Sequence, residues 1–260
     1  MSCQFALSGA NVSPQEELAN LISQLSPERV SLLIEMGHAL TRSVVSQVAS
    51  DSDIVVDAFE RDFSGRLLLF HAMHDAALTK KTFEYFFCGS SRAAGRHASQ
   101  TENSVYPGED VVVDGHKFSL KTEGGLSISS TAIHISKLME ARWIRECHSA
   151  EDFCTFSKER IGIHLSHYER IISLRSFHRR STVLYELVEI PKDVLLEIFH
   201  LNPSDFSART ANGSSSAEVR GSDGRRLFVL SLDGSVEKIT VRSLQLRHCK
   251  VHATWEVTLA

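Results

Sequence analysis

The stretch YPGEDVVVDGHKFSLKTE, residues 106–123, places the strongest constraint on how this chain can fold. Its centre is Asp114-Gly115, a dipeptide typical of a two-residue turn, and apolar residues alternate with polar ones on both sides. The sequence therefore predicts a tight hairpin in which Val111 faces Phe118, because a two-residue turn sets the register of the strands that it joins.

The predicted hairpin separates its side chains by face, because successive side chains of a strand point to opposite sides. The core face carries the apolar residues Val111, Val113, Phe118 and Leu120. The other face carries the polar residues Asp110, Ser119, Lys121 and Glu123. A hairpin needs no charges in order to fold, so the charged residues of this face indicate a chemical role.

A carboxylate beside an ammonium on a rigid strand pair suits metal-assisted hydrolysis of a phosphodiester. Asp110, a second acid and the backbone carbonyl of Leu120 are oxygen ligands of the kind that Mg²⁺ prefers. Lys121 can orient or deprotonate a water molecule and offset charge on the phosphorus. The alternative on spacing alone is a surface salt bridge, which contributes little to stability.

The composition is that of an ordinary globular protein. The chain has 260 residues, of which 42% are hydrophobic and 23% charged, and no apolar run is long enough for a membrane helix. Five cysteines make an odd number without a Cys-x-x-Cys pair, which argues against a disulfide framework and predicts a reducing, cytoplasmic location. The net charge of −4 does not indicate nucleic-acid binding, although basic residues are clustered at 92–97, 170–180 and 220–226.

The order of motifs predicts one α/β domain over residues 1–260. Residues 1–100 are mainly helical, with helix starts at Ser13-Pro14 and Ser26-Pro27, and Val44 and Val48 continue the second apolar stripe. A further helix is expected over roughly 65–77.

Another helix is expected from Thr79 to a point before Gly89, followed by a loop at 89–104. The segment 128–140 is ambiguous between strand and helix. Strands and a short helix at 192–200 follow, then a loop at 202–224 and a β-hairpin region at 220–260 built on a second Asp-Gly.

Several ordered blocks of this sequence resemble SmaI-type type II restriction endonucleases, which belong to the PD-(D/E)xK nucleases. The blocks are YPGEDVVVDGHKFSLKTE, IHISKLME, HYERIISLRSF and YELVEIPKDVLLE, and the similarity is strongest over 104–198. The resemblance implies a catalytic core with a central mixed β-sheet flanked by helices and a helical N-terminal region. It assigns Asp110 the aspartate role and Lys121 the catalytic lysine role, with Mg²⁺ as the cofactor.

One position departs from the family pattern. Ser119 stands two residues before the lysine, where the motif has an acid, and a hydroxyl cannot supply the missing anionic ligand. Three acids are candidates to replace it, namely Glu84 on the preceding helix, Glu123 on the same strand face, and Glu140. Glu84 also fits an ordinary helix ion pair with Lys80.

The resemblance further implies double-stranded DNA as the substrate, with a GC-rich palindrome such as CCCGGG as the target. Guanine is read by arginine and the cytosine amino group by a carboxylate, which makes Glu169 and Arg170 the candidates for base contacts. Phosphate or base contacts are further expected from Arg175, Arg179, Arg180 and Lys192. A solvated basic turn is the alternative for this segment.

A palindromic target implies a two-fold homodimer with one active site for each strand. A cognate DNA methyltransferase is expected as a genetic partner and no membrane association is expected. Two other functions stay open on the sequence: a structure-specific repair or junction nuclease of the same fold, and a DNA-binding relative that has lost activity.

Overall fold

The structure, a computed structural model, describes residues 13–101, 108–125 and 128–259. Parts of the predicted loop at 89–104 and of the predicted core at 104–198 therefore lie outside the described residues. The chain divides into two compact units, one up to Arg42 and one from Ser43 onwards. The prediction of a single domain stays a prediction.

The first unit contains helices α1 (Pro14–Ser23) and α2 (Pro27–Leu40). Both predicted helix starts are confirmed. Ser13 caps α1 through a capping box, in which its hydroxyl accepts a bond from the Glu16 amide and the Glu16 carboxylate accepts one from the Ser13 amide.

Within its described residues, the second unit contains four further helices and eleven strands. The helices are α3 (Asp57–His71), α4 (Lys80–Ala93), α5 (Ala150–Ser166) and α6 (Lys192–Leu196). The strands are β1 (Val44–Val48), β2 (Ala98–Gln100), β3 (Val111–Val113), β4 (His116–Gly125), β5 (Ala132–Glu140), β6 (Arg170–His178), β7 (Thr182–Ile190), β8 (Ser215–Arg220), β9 (Arg226–Asp233), β10 (Lys238–Gln245) and β11 (Lys250–Thr258). Short 3₁₀ turns connect some of them.

Seven strands form a large mixed sheet in the order β1-β11-β7-β6-β4-β3-β2. The β4–β6 pair is parallel and the other neighbours are antiparallel. The remaining strands form an antiparallel sheet in the order β5-β10-β9-β8. The expected mixed sheet flanked by helices is therefore present.

Each face of the large sheet covers its own hydrophobic core. On one face α3 and α4 pack on the sheet, with fully buried rings at Phe59, Phe63 and Trp255. On the other face α5 and the smaller sheet bury a second cluster that includes Ile171 and Val188. Within the second unit the large sheet thus lies between two layers, and a side chain of β4 or β6 faces one layer or the other by its parity.

The central hairpin has the predicted register, with Val111 opposite Phe118 and Val113 opposite His116. Asp114 and Gly115 form the turn with positive φ angles of 50° and 86°, which a type I′ turn requires. The four apolar residues of the predicted core face are all buried in the layer of α3 and α4. The turn dipeptide and the alternation of residues were sufficient to specify this element.

Some predicted elements were wrong in extent or type. The stripe through Val44 and Val48 is the edge strand β1, so two β-branched residues that fit a helical period belong to a sheet. The helix expected at 65–77 is α3 and begins at Asp57. The helix expected to end before Gly89 continues to Ala93, because Gly89 packs against the Arg66 side chain instead of ending α4.

The predicted loops also contain strands. Strand β2 lies within the loop expected at 89–104, where it adds an edge to the large sheet, and β8 lies within the loop expected at 202–224. The ambiguous segment at 128–140 resolves as strand β5. The second Asp-Gly hairpin is present, but residues 234–237 make a longer connection than a two-residue turn.

Candidate active site

A cavity of about 1000 Å³ opens beside the central hairpin, between the polar face of β4, strand β5 and helix α5. Its lining includes both residues that the sequence analysis places at the centre of the chemistry, Asp110 and Lys121. The other polar residues on its wall include Lys80, Ser119, Ser136, Lys137, Glu140, Arg142 and His164. Among the lining residues four cations face two acids, and this excess of positive charge suits an anionic substrate such as a phosphodiester.

The Asp110 carboxylate is held against β4 by the backbone. The Leu120 amide donates to Asp110 Oδ2 at 2.6 Å, and the Ser119 hydroxyl lies 3.4 Å from the same oxygen. The Asp110 amide in turn donates to the Phe118 carbonyl at 2.8 Å. The Leu120 amide therefore lies on the Asp110 side of β4. A metal site that uses both Asp110 and Leu120 requires the two residues to lie this close together.

Lys121 projects into the cavity from the next position on the same face of β4. Burial lowers the pKa of Lys121 to about 8, although the nearby Asp110 carboxylate acts in the opposite direction. Its ammonium nitrogen lies 3.5 Å from the Leu138 carbonyl of β5. An amine with this pKa exchanges protons readily near neutral pH, which is the property that an acid–base group needs.

Glu84 of α4 approaches Asp110 from the helical layer, and its side chain is only 10% exposed. Lys80 joins the two acids, with Nζ 2.6 Å from Asp110 Oδ1 and 3.4 Å from Glu84 Oε1. The second Glu84 oxygen accepts a bond from Lys81 at 3.1 Å. Two carboxylates from distant parts of the chain therefore contact one ammonium at the mouth of the cavity.

Glu123 lies on the predicted face of β4, but its oxygens have other partners. Arg175 Nε donates to one oxygen at 2.8 Å and the His134 amide donates to the other at 3.0 Å. Glu140 lies at the far end of the cavity, where Lys137 donates to its exposed carboxylate at 2.7 Å. Of the three candidate acids, only Glu84 contacts the same lysine as Asp110, namely Lys80.

Arg175 does not fit the expected DNA contact, because its guanidinium is completely buried. It donates to Glu123 and Glu186 on either side and to the carbonyls of Ser129 and Ala132. Parallel pairing of β4 with β6 sets Glu123 beside Arg175 in register. A buried cation with four acceptors is a structural group, since moving it to DNA would leave two acids unpaired.

Glu169 and Arg170 lie outside the cavity. Arg170 follows the parity of Ile172 and Leu174 and so faces the layer of α3 and α4, on the opposite side of the sheet from Lys121. Glu169 is exposed and pairs with His116 at the hairpin turn. The predicted base readers are thus adjacent in the chain, and the sheet separates Arg170 from the cavity.

Arg170 is the centre of a charged network. Its guanidinium makes two bonds to Glu189, at 2.8 and 2.5 Å, and two to Asp53, at 2.5 and 3.0 Å. The buried His252 lies 3.0 Å from Glu189 and 2.9 Å from the Ser52 hydroxyl. Asp53, Glu189 and His252 group closely enough to suggest a metal site, but the Arg170 cation already neutralises both carboxylates.

The remaining predicted DNA contacts lie at two separate places. Arg179 and Arg180 are exposed in the turn between β6 and β7, where Arg179 pairs with Glu256 at 2.8 Å. Lys192, at the start of α6, donates to the Tyr168 carbonyl at 2.7 Å. Exposure leaves Arg179 and Arg180 available for phosphate contacts, whereas Lys192 is tied to the backbone.

His164 and Lys80 are cavity residues to which the sequence analysis assigned no role in the site. His164 of α5 is buried, with Nε2 3.0 Å from the same Leu138 carbonyl that Lys121 approaches. Burial, together with the charge of Lys121, lowers the pKa of His164 to about 4, so the ring is neutral near pH 7 and donates to that carbonyl. Lys80 was considered only as the helix partner of Glu84. Neither residue belongs to a local motif that could have revealed it.

Comparisons with known proteins agree with the geometry. A family model for SmaI, described as a type II site-specific deoxyribonuclease, matches residues 18–257. The type II restriction enzyme SmaI of Serratia marcescens is 35% identical over 254 residues, which cover 95% of this chain and 99% of that protein. No solved structure matches the chain significantly.

Proposed function

Because this chain belongs to the SmaI family of type II site-specific deoxyribonucleases, we propose that it hydrolyses DNA in the cavity that contains Asp110 and Lys121. The observation that supports this location most directly is the shared contact of Asp110 and Glu84 beside the partly buried Lys121. The family favours site-specific cleavage over the structure-specific or inactive alternatives. We further propose that the core is of the PD-(D/E)xK type.

The residues present fit a divalent metal ion, which type II restriction enzymes generally need. Asp110, Glu84 and the Leu120 carbonyl would hold it, and all three offer the hard oxygen ligands that suit Mg²⁺. Glu84 is preferred to Glu123 because both oxygens of Glu123 already accept bonds from the interior. When bound, Mg²⁺ would polarise the phosphate and lower the pKa of a bound water molecule.

The side chains of the cavity have distinct tasks in this proposal. Asp110 stays fixed because the Leu120 amide holds one of its oxygens. Lys121 orients the attacking water, accepts its proton when the amine is neutral, and offsets charge on the phosphorus when the amine is protonated. His164 and the Leu138 carbonyl keep Lys121 at the cavity wall.

We propose a GC-rich palindrome of the CCCGGG type as the target and a two-fold homodimer as the acting form, since each DNA strand then meets one active site. A DNA methyltransferase of the same specificity would protect the host. Arg179 and Arg180 are proposed phosphate contacts because both are exposed cations. Glu169 and Arg170 remain proposed base readers only if the network around Arg170 opens on DNA. No helix within the described parts of the chain is long and apolar enough to cross a membrane.

The test is digestion of phage DNA with Mg²⁺ and, separately, with excess EDTA. We expect discrete fragments only with Mg²⁺, and no detectable cleavage by Asp110→Ala or Lys121→Ala. Lys117→Ala removes a lysine from the same strand outside the cavity and is expected to retain cleavage. Cleavage by either cavity variant at the wild-type rate would contradict the proposed site.

A further inference from the structure

Lys80 lies where two carboxylates converge, and its position is not explained by its own helix alone. It is the first residue of α4, directly after the capping residue Thr79, and its side chain is 44% exposed. Its ammonium makes the shorter of its two contacts with Asp110, which is thirty residues away in the chain. Tertiary structure therefore brings this cation to the acid that the proposed chemistry depends on.

Two carboxylates that contact one ammonium lie close together, and their like charges repel each other. Within the described residues, Lys80 is the cation in salt-bridge contact with Asp110. Lys121 does not take this role, since the contact of its ammonium is with the Leu138 carbonyl. In the part of the chain that the structure describes, Lys80 is thus the cation that contacts both acids, while Lys81 pairs with Glu84.

Lys80 is also able to leave. Its side chain is long, flexible and nearly half exposed, so its ion pairs contribute little and the ammonium can move into water at low cost. Glu84 would keep one partner, because Lys81 bonds to its other oxygen. Asp110 would keep the Leu120 amide. The two acids therefore hold their positions when Lys80 moves away.

We propose that Lys80 is the counter-ion of the metal-free site, which offsets the charge of Asp110 and Glu84 until a divalent cation displaces it. This inference rests on the proposed function, because it takes Asp110 and Glu84 as the metal-binding acids. Lys80 is a positioning residue in this proposal. It competes with the metal for the same oxygens and so weakens metal binding while it stabilises the metal-free protein.

The test is a titration of DNA-free protein with Mn²⁺, in which free Mn²⁺ is measured by electron paramagnetic resonance. We compare the wild type with Lys80→Met, which removes the charge and retains a flexible side chain. We expect Lys80→Met to bind Mn²⁺ on the order of tenfold more tightly, since one partly exposed competing charge is removed. We also expect a lower melting temperature in EDTA that recovers when Mn²⁺ is added.

Lys137→Met is the matched control, because Lys137 lines the same cavity and pairs with Glu140 instead of Asp110 or Glu84. If Lys137→Met also bound Mn²⁺ more tightly, and by the same factor, the inference would be overturned, since the effect would then come from net charge. Unchanged or weaker Mn²⁺ binding by Lys80→Met would also overturn it. Asp110→Asn separates the two proposals: if this variant binds Mn²⁺ as tightly as the wild type, the metal site itself is elsewhere and both proposals fail.

Discussion

At the scale of single residues, the environment of a carboxylate decides what it can do. Glu84 lies on α4 and shares Lys80 with Asp110, Glu123 lies on the polar face of β4, and both acids are buried. Glu123 is enclosed by Arg175 and the His134 amide, whereas Glu84 contacts only lysine side chains that are exposed to solvent. A ligand must exchange its partner for the metal, and only the partners of Glu84 can move away at low cost.

The pair Glu84→Gln and Glu123→Gln therefore separates catalysis from stability. We expect Glu84→Gln to lose cleavage, to recover part of it at raised Mg²⁺ or with Mn²⁺, and to keep its stability. We expect Glu123→Gln to lower the free energy of unfolding by about 3 kcal/mol, because the buried Arg175 loses a charged partner. Urea unfolding and DNA digestion of both variants make the measurement. If Glu84→Gln were fully active and Glu123→Gln were folded but inactive, Glu123 would be the metal ligand and Glu84 would not.

At the scale of elements, the network around Arg170 joins three strands and a loop. Arg170 begins β6, Glu189 lies near the end of β7, His252 lies on β11, and Asp53 follows β1. Burial raises the pKa of Glu189, but the bonds from His252 and Arg170 outweigh burial and lower it to about 2. The Glu189 carboxylate therefore binds a proton less readily in the folded protein than in the unfolded chain.

This depressed pKa predicts how stability depends on pH. Glu189 contributes stability above its ordinary pKa of 4.5, and the contribution is lost as the pH falls through about 2. The full contribution is on the order of 3 kcal/mol. We expect Glu189→Gln to be less stable than the wild type at pH 7 and to approach it between pH 4.5 and pH 2, as measured by urea unfolding. A stability difference that stays constant over this range would show that Glu189 titrates normally.

At the scale of the whole molecule, charge and symmetry govern how DNA is bound. The protein is net acidic, with a formal charge of −4, so binding depends on local groups of cations. The cavity provides one such group and the turn between β6 and β7 provides another, with Arg179 and Arg180 exposed. In a homodimer each group occurs twice, once for each DNA strand.

Arg180→Ala is expected to weaken binding to a CCCGGG duplex and to a scrambled duplex by the same factor. It should also reduce the salt dependence of binding by about one phosphate contact for each protomer, since phosphate contacts carry no sequence information. Binding is measured over a range of salt concentrations with Ca²⁺ in place of Mg²⁺, so that no cleavage occurs. Weakening of the CCCGGG duplex alone would make Arg180 a base reader.

The sequence by itself determined the central hairpin and the relation of Asp110 to Lys121. Asp114-Gly115 specifies the turn and the alternation of residues specifies the faces, and both signals are local. The resemblance of ordered blocks to a known family led to the activity.

Only the tertiary structure decided which distant residues meet this hairpin. Parallel pairing of β4 with β6 buries Arg175 against Glu123, and packing of α4 on the sheet brings Glu84 and Lys80 to Asp110. The same parity directs Arg170 to the opposite layer. These contacts join residues that are far apart in the chain, and no periodicity along the chain encodes the register or the angle at which two separate elements pack.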